Sequence, residues 1–387
     1  MKVLTAFRRL MSITLALAAG LAACGRAPSV SPSGSLRLVE VTPLAEPFKR
    51  ALAPVPIVLP RDHGPHEDFQ TEWWYYTGNL QTQGGRRFGY QFTIFRRGLS
   101  PGADLRQQGF ATNQVYFAHL ALTDVEGGEH LALERFSRGA AGLAGGSGDP
   151  FRIWLENWVV EGLNEDGSQV HLSASDERFS LDFTLEAQKP LTLHGDQGLS
   201  AKSERPGNAS YYVSYTRMET SGTISIGGDV FEVSGSSWFD HEWSTSALDA
   251  GDVGWDWFAL QLSDGRDLML YWIRRDDGSF EPISGGSLVQ PDGVSTPLSR
   301  DDVRIAVEQT WTSPHSGAEY PARWRIDIPT EGISLQISPL LQDQELQVSF
   351  TYWEGAVYVA GTSAGQTIDG VGYVELTGYD TSMGGVF

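Results

Sequence analysis

The chain has 387 residues, with 28 basic and 48 acidic side chains, 44 glycines, 12 tryptophans and one cysteine. A net charge of −20 speaks against a nucleic-acid partner, because phosphate binding needs clustered Lys and Arg. A single cysteine excludes an internal disulfide or a Cys-rich zinc site, and 41% apolar with 20% charged residues describes a globular chain long enough for two or three domains.

Residues 1–23 hold Lys2, Arg8 and Arg9, no acidic residue, and an apolar run from Leu10 to Ala23. This is the layout of a secretory signal, too short and too rich in small residues for a comfortable membrane span. The run ends Leu21-Ala22-Ala23-Cys24, which resembles a bacterial lipoprotein lipobox, and the chain's one cysteine falls where lipidation needs it. The resemblance implies cleavage before Cys24 and a membrane tether through its diacylglycerol; Gly25, where an Asp is absent, resembles outer-membrane sorting. The expected location is therefore the periplasmic face of the envelope. Removing 1–23 takes away three basic and no acidic residues, so the net charge moves from −20 to −23.

Eight of the nineteen prolines lie between Cys24 and Pro65, so residues 24–65 read as an extended tether and arm, with Val55–Leu59 apolar enough to lie along the body. From Glu72 onward the pattern has period two: Phe88, Tyr90, Phe92 and Ile94, then Phe179, Leu181, Phe183 and Leu185, then Ile333, Leu335 and Ile337. Turn signals at Gly127-Gly128, Asp166-Gly167, Asp264-Gly265, Asp277-Gly278 and Asp292-Gly293 separate the runs. The prediction is an all-β protein with few helices: about sixteen to twenty antiparallel strands in two barrel or sandwich domains. Gly227-Gly228 suggests the boundary, giving domains at 66–226 and 227–387.

Four places concentrate unusual side chains: Asp62 through Leu80, Tyr116 through His119, Ser234 through Trp243, and Gly254 through Trp272. Read as a strand, the third puts Phe239, His241 and Trp243 on one face and Asp240 and Glu242 on the other. His241 is then either a core histidine satisfied by one carbonyl, or a proton donor facing an apolar ligand, with Trp255, Trp257 and Tyr271 supplying π faces to a developing cation. Trp74, Tyr76, His119 and Trp238 join Trp255 and Trp257 as candidate ligand-binding side chains. His63 and His66, with Glu67, Asp68 or Glu72, have metal-ligand chemistry, but on a Gly/Pro-rich loop they read as caps and bridges of the first strand; no metal or cofactor is assigned. Gly361-Thr362-Ser363-Ala364-Gly365 matches the hydrolase nucleophile elbow but sits between strands, so it reads as a hairpin turn.

These motifs resemble the AttH/CrtC lipocalin-like family, which includes carotenoid 1,2-hydratases and proteins labelled predicted secreted hydrolases. Glu72-Trp73-Trp74-Tyr75, Ser214 through Arg217, Gly235 through Trp243, Gly254 through Phe258, Leu270-Tyr271, Tyr352 through Val357 and Gly372 through Tyr379 carry the resemblance, over about residues 58–387. It implies two lipocalin-like β domains with a cavity in or between them, and a hydrophobic, isoprenoid- or lipid-like ligand. In the hydratase branch an acid protonates a terminal double bond and water attacks the cation. The His-x-Trp motif of that branch matches His241 and Trp243, and the Tyr of its Tyr-x-Asp motif matches Tyr271; Asp240 is a further acid candidate. Its Asp is missing, since Tyr271 is followed by Trp272 and Ile273. The AttH branch implies ABC permease components as partners. Two functions stay open, a tethered carrier and a hydro-lyase. Replacing Cys24 with Ser is expected to move the protein from the membrane to the soluble fraction, measured by fractionation and by loss of labelled-palmitate incorporation.

Overall fold

The computed structural model describes residues 47–101, 111–246 and 248–384. The signal segment, Cys24 and the first part of the Pro-rich arm lie outside them. From Pro47 to Pro60 the arm has no regular structure, and a short 3-10 turn at Arg61–His63 follows. Ala51 and Ile57 pack with Phe69, Tyr211 and Trp243, and the Tyr211 hydroxyl donates to the Ala53 carbonyl at 2.8 Å. Val55 and Val58, expected to lie on the body, are instead largely exposed.

The first sheet takes the first thirteen strands in chain order. These are β1 (Thr71–Gln81), β2 (Arg87–Gly98), β3 (Gln114–Asp124), β4 (Glu129–Arg138), β5 (Ala144–Gly148), β6 (Phe151–Leu155), β7 (Trp158–Gly162), β8 (Gln169–Ser175), β9 (Phe179–Ala187), β10 (Thr192–Leu193), β11 (Leu199–Ala201), β12 (Ala209–Ile226) and β13 (Asp229–Ser244). Their order is β4-β3-β2-β1-β13-β12-β9-β8-β7-β6-β5, with β10 and β11 also on β12. The second sheet takes β14 (Asp252–Leu262), β15 (Asp267–Arg275), β16 (Gly285–Val289), β17 (Ser295–Ser299), β18 (Arg304–Thr312), β19 (Glu319–Ile328), β20 (Ile333–Pro339), β21 (Glu345–Gln347), β22 (Thr351–Ser363) and β23 (Gln366–Leu376). Its order is β17-β16-β15-β14-β23-β22-β20-β19-β18, with β21 on β22. Both are curled antiparallel sheets of lipocalin-like form, and short 3-10 turns are the only helices among the described residues.

Period two explains the cores. Phe88, Tyr90, Phe92 and Ile94 point into the first curl with Phe179, Leu181, Phe183 and Leu185, while Ile333, Leu335 and Ile337 point into the second. All five Gly-containing turn signals fall between consecutive strands, and Ala364-Gly365, with φ of 48° and 80°, closes the β22–β23 hairpin. The expected boundary at 226/227 does not hold. Gly227-Gly228, with φ of 60° and 92°, forms a turn inside the first sheet, because β13 pairs with both β12 and β1. The chain passes to the second sheet between Ser244 and Asp252.

The two sheets pack as one compact unit. Tyr75, Tyr212, Trp238, Trp257, Met269 and Tyr373 fill the contact. Gly89 of β2 lies against Ala356 of β22 so closely that a Cβ there would meet the alanine methyl at 2.5 Å. A buried charge cluster bolts the layers together: Asp267 of β15 accepts from Lys189 Nζ at 2.6 Å, Arg217 Nη2 at 2.6 Å and the Thr216 hydroxyl at 2.8 Å, all from the first-sheet side. Removing one partner of such a cluster strands the others without compensation. Asp267→Asn is expected to cost about 3–5 kcal/mol, read from urea unfolding, while Asp277→Asn on an exposed turn changes stability little.

Candidate active site

Where the sheets meet, strand alternation aims aromatic and acidic side chains into one cleft of about 870 Å3 of empty space, counting its mouth. Trp73 and Tyr75 come from β1, Tyr212 from β12, Asp240 and Glu242 from β13, Trp255 and Trp257 from β14, Tyr271 and Ile273 from β15, Tyr352 and Glu354 from β22, and Glu375 from β23. Glu354 and Glu375 are direct cross-strand neighbours, and Glu375 faces Trp257 on its other side.

Three of these carboxyls are held away from their usual ionisation. Glu354 is fully buried; desolvation first, and the adjacent Glu375 second, push it well above the carboxylate range. The Tyr75 hydroxyl donates to its Oε1, and the Tyr352 hydroxyl also stands beside the carboxyl. Burial likewise raises Glu375 to about 7, although the Trp255 indole N–H donates to its Oε2 at 2.9 Å. Asp240 is also pushed up to about 7 by burial, against the pull of the Ser214 hydroxyl, the Tyr212 hydroxyl at 2.7 Å and the Trp238 indole at 2.6 Å. Ser214 is backed by His194, whose Nε2 lies 2.8 Å from its Oγ and whose Nδ1 lies 3.0 Å from Ser287 Oγ of the second sheet. Burial lowers His194 to about 3, so it is neutral. The cleft's cation, Lys202, sits 2.7 Å from Glu242 and 5.1 Å from the ring centres of both Tyr212 and Tyr271. The arrangement is therefore a neutral carboxylic acid beside two carboxyls poised near pH 7, under π faces and largely away from water.

On the opposite face of β13 a different set assembles. His241 Nε2 is 2.9 Å from Glu72 Oε1, and the ring lies 4.8 Å from both Trp74 and Trp243. Glu72 is also bonded to His66 Nδ1 at 2.7 Å and to Arg96 Nε at 2.8 Å, and these cations hold it well below the usual range despite burial. Burial lowers His241, whereas the charge of Glu72 lifts His66 to about 9.

The AttH-like family profile matches residues 50–379. The chain belongs to the AttH-like family. A structure described as an AttH of Nitrosomonas europaea is 34% identical, covers 85% of this chain and 100% of its own, and superposes with a TM-score of 0.75. Kievitone hydratase of Fusarium solani subsp. phaseoli is 24% identical over 225 residues; that match takes 56% of this chain and 62% of the relative's length. The crystal structure of kievitone hydratase from Nectria haematococca, at 17% identity, covers 87% of this chain and 98% of its own with a TM-score of 0.65, which shows a shared fold.

In this AttH-like chain the sequence-predicted site divides in two. Asp240, Tyr271, Trp255 and Trp257 do meet at one cleft, and Trp238 stands behind Asp240. His241 and Trp243 do not join them, because adjacent residues of a strand face opposite ways and Asp240 holds the cleft side. Trp74 and Tyr76 turn into the first core by the same rule, Tyr76 stacking on Phe239 at 4.6 Å. His119 lies between the sheets, 2.8 Å from the Tyr352 hydroxyl and 3.0 Å from Glu134, behind the cleft wall. Where the resemblance expects an Asp after Tyr271, Ile273 lines the cleft. Tyr75, Tyr352, Glu354 and Glu375 lie in the motifs that carry the resemblance but were given no site role from sequence, and Lys202 lies outside those motifs. Glu354 and Glu375 each stand two residues after a tyrosine, so strand parity alone placed acid and aromatic on one face. Of the loop residues with metal chemistry, His66 and Glu72 come together, Asp68 pairs with Lys49, and His63 turns toward Phe151, Tyr215 and Phe239.

A carboxyl whose pKa is higher folded than unfolded favours the fold when protonated. For Asp240 and Glu375 that contribution is complete below about pH 4 and is lost as pH rises through 7, about 3–4 kcal/mol each. Unfolding free energy is expected to fall between pH 5 and 7.5, and Asp240→Asn and Glu375→Gln each to flatten that slope in chemical denaturation.

Proposed function

We propose that the protein binds a hydrophobic, alkene-bearing small molecule in the inter-sheet cleft and adds water across its double bond by acid catalysis. The observation that carries this is Glu354, a buried carboxyl held protonated in an aromatic cleft, with Glu375 directly across the strand from it and poised near neutrality. Glu354 gives its proton to one alkene carbon and becomes a carboxylate. The positive charge that develops on the other carbon faces the indoles of Trp73, Trp255 and Trp257. A water oxygen bonds to that carbon, and the proton it sheds passes to Glu375 in its carboxylate form. Return of the proton from Glu375 to its cross-strand neighbour Glu354 resets the site, so the net change is addition of H and OH. Similarity to a relative named kievitone hydratase supports hydration as the reaction class.

Glu354→Gln keeps shape and polarity but removes the donated proton. It is expected to lower kcat at least 100-fold while leaving ligand affinity within a few-fold. The measurement is single-turnover conversion of an acyclic isoprenoid alkene, with binding followed by tryptophan quenching. Tight binding of isoprenoid alkenes by the unsubstituted protein with no conversion of them would leave a carrier and overturn the catalytic reading.

A further inference from the structure

Two stretches close in sequence and one distant strand converge at the start of β1: the end of the arm brings His66, β1 brings Glu72 six residues later, and β13 brings His241. His66 Nδ1, Glu72 Oε1 and His241 Nε2 all lie within 4.8 Å of one another, with separations of 2.7 Å and 2.9 Å to the shared oxygen. Zinc-type bonds of about 2.0–2.2 Å place neighbouring ligand atoms of a tetrahedral ion about 3.4 Å apart, so a shift of under about 1 Å opens the two bonded pairs to that geometry.

The outer partners have the arrangement metal ligands use. Glu72 turns its other oxygen, Oε2, to Arg96 Nε and to the His66 backbone N–H, both at 2.8 Å, which leaves Oε1 for the imidazoles. The far nitrogen of His66, Nε2, lies 3.7 Å from Asp62 Oδ1, and Asp62 is itself held by Arg61 and the Val58 N–H. Arg96 is fixed by Gln114 and by the carbonyls of His66 and Phe69. A carboxylate behind a ligating imidazole and a donor behind a ligating carboxylate orient the inner ligands. A second observation is an unpartnered buried imidazole nitrogen at the cluster itself: His241 Nδ1 has no hydrogen-bond partner. Access is also present, since His66, Asp62 and Trp243 line a hollow under the arm of about 1360 Å3, counting its open side.

We propose that His66, Glu72 and His241 bind one divalent transition-metal ion of the zinc class, pinning the arm to β1 and β13. Two imidazoles and one carboxylate suit zinc, cobalt or nickel rather than calcium or magnesium, which prefer all-oxygen shells. The ion replaces the protons that bridge the imidazoles and the carboxylate, so its uptake releases protons and strengthens with pH. Arg96 on the far oxygen opposes the added charge and weakens binding relative to a site without it.

The test uses the full chain, stripped with chelator and titrated with Co2+ and then Zn2+. One equivalent of Co2+ with visible ligand-field bands is expected, with proton release seen as a buffer-dependent heat and a rise in Tm with Zn2+. His66→Asn, on the partly exposed arm, and His241→Asn are each expected to weaken binding at least 10-fold, while Asp240→Asn on the other face of the strand leaves it unchanged. Circular dichroism checks that each variant folds, and His66→Asn alone carries the test should His241→Asn fail. No 1:1 uptake at 100-micromolar metal, or uptake that survives His66→Asn, would overturn the site and leave a proton-bridged charge network.

Discussion

Packing two curled sheets face to face takes the groups between them out of water, and those groups include more acids than bases. A buried carboxylate without a cation beside it is too costly to keep, so the group takes up a proton instead. Asp267 meets the constraint one way, with Lys189, Arg217 and Thr216 around it. Glu354 meets it the other way, with tyrosines, tryptophans and a second carboxyl for company. The first solution holds the layers together; the second leaves a neutral acid lining a cleft.

The two solutions divide the work of one interface. Gly89 against Ala356, and the aromatic contact around Tyr75, Tyr212, Trp238 and Trp257, bring the sheets close enough to desolvate the acids between them. That closeness keeps Asp240 and Glu375 near neutrality even though Asp240 accepts three donors.

Much of the fold was legible in sequence because its determinants are local. Alternating apolar residues and Gly-containing turns specify strands and hairpins without reference to distant contacts, and β2, β9, β20 and the turn at Ala364-Gly365 follow that reading. The boundary was misplaced because a glycine pair signals a turn equally well inside a sheet as between two. The site was half legible. Alternation separated Asp240 from His241, but which face would meet the second sheet depends on packing between residues more than a hundred positions apart. Around Asp240 and His241 both faces are buried, so the usual rule of polar outward and apolar inward had no purchase. Glu354 and Glu375 lay inside the family motifs without a role for a similar reason: Glu354 is an acid at a position with no solvent face, and only the packing of the second sheet turns the half-buried Glu375 into the cleft.

β13 serves two chemically unlike rooms through one wall. Its even residues Asp240 and Glu242 furnish the cleft, and its odd residues His241 and Trp243 furnish the cluster around Glu72. A slip of one residue against β1 would exchange the rooms' contents, putting imidazole where the cleft now has carboxyl and carboxyl beside the carboxylate of Glu72. Strand register, ordinarily a matter of hydrophobic fit, is here also a choice of reagents: the long β12–β13 hairpin and its eleven-residue match to β1 decide which functional group each room receives.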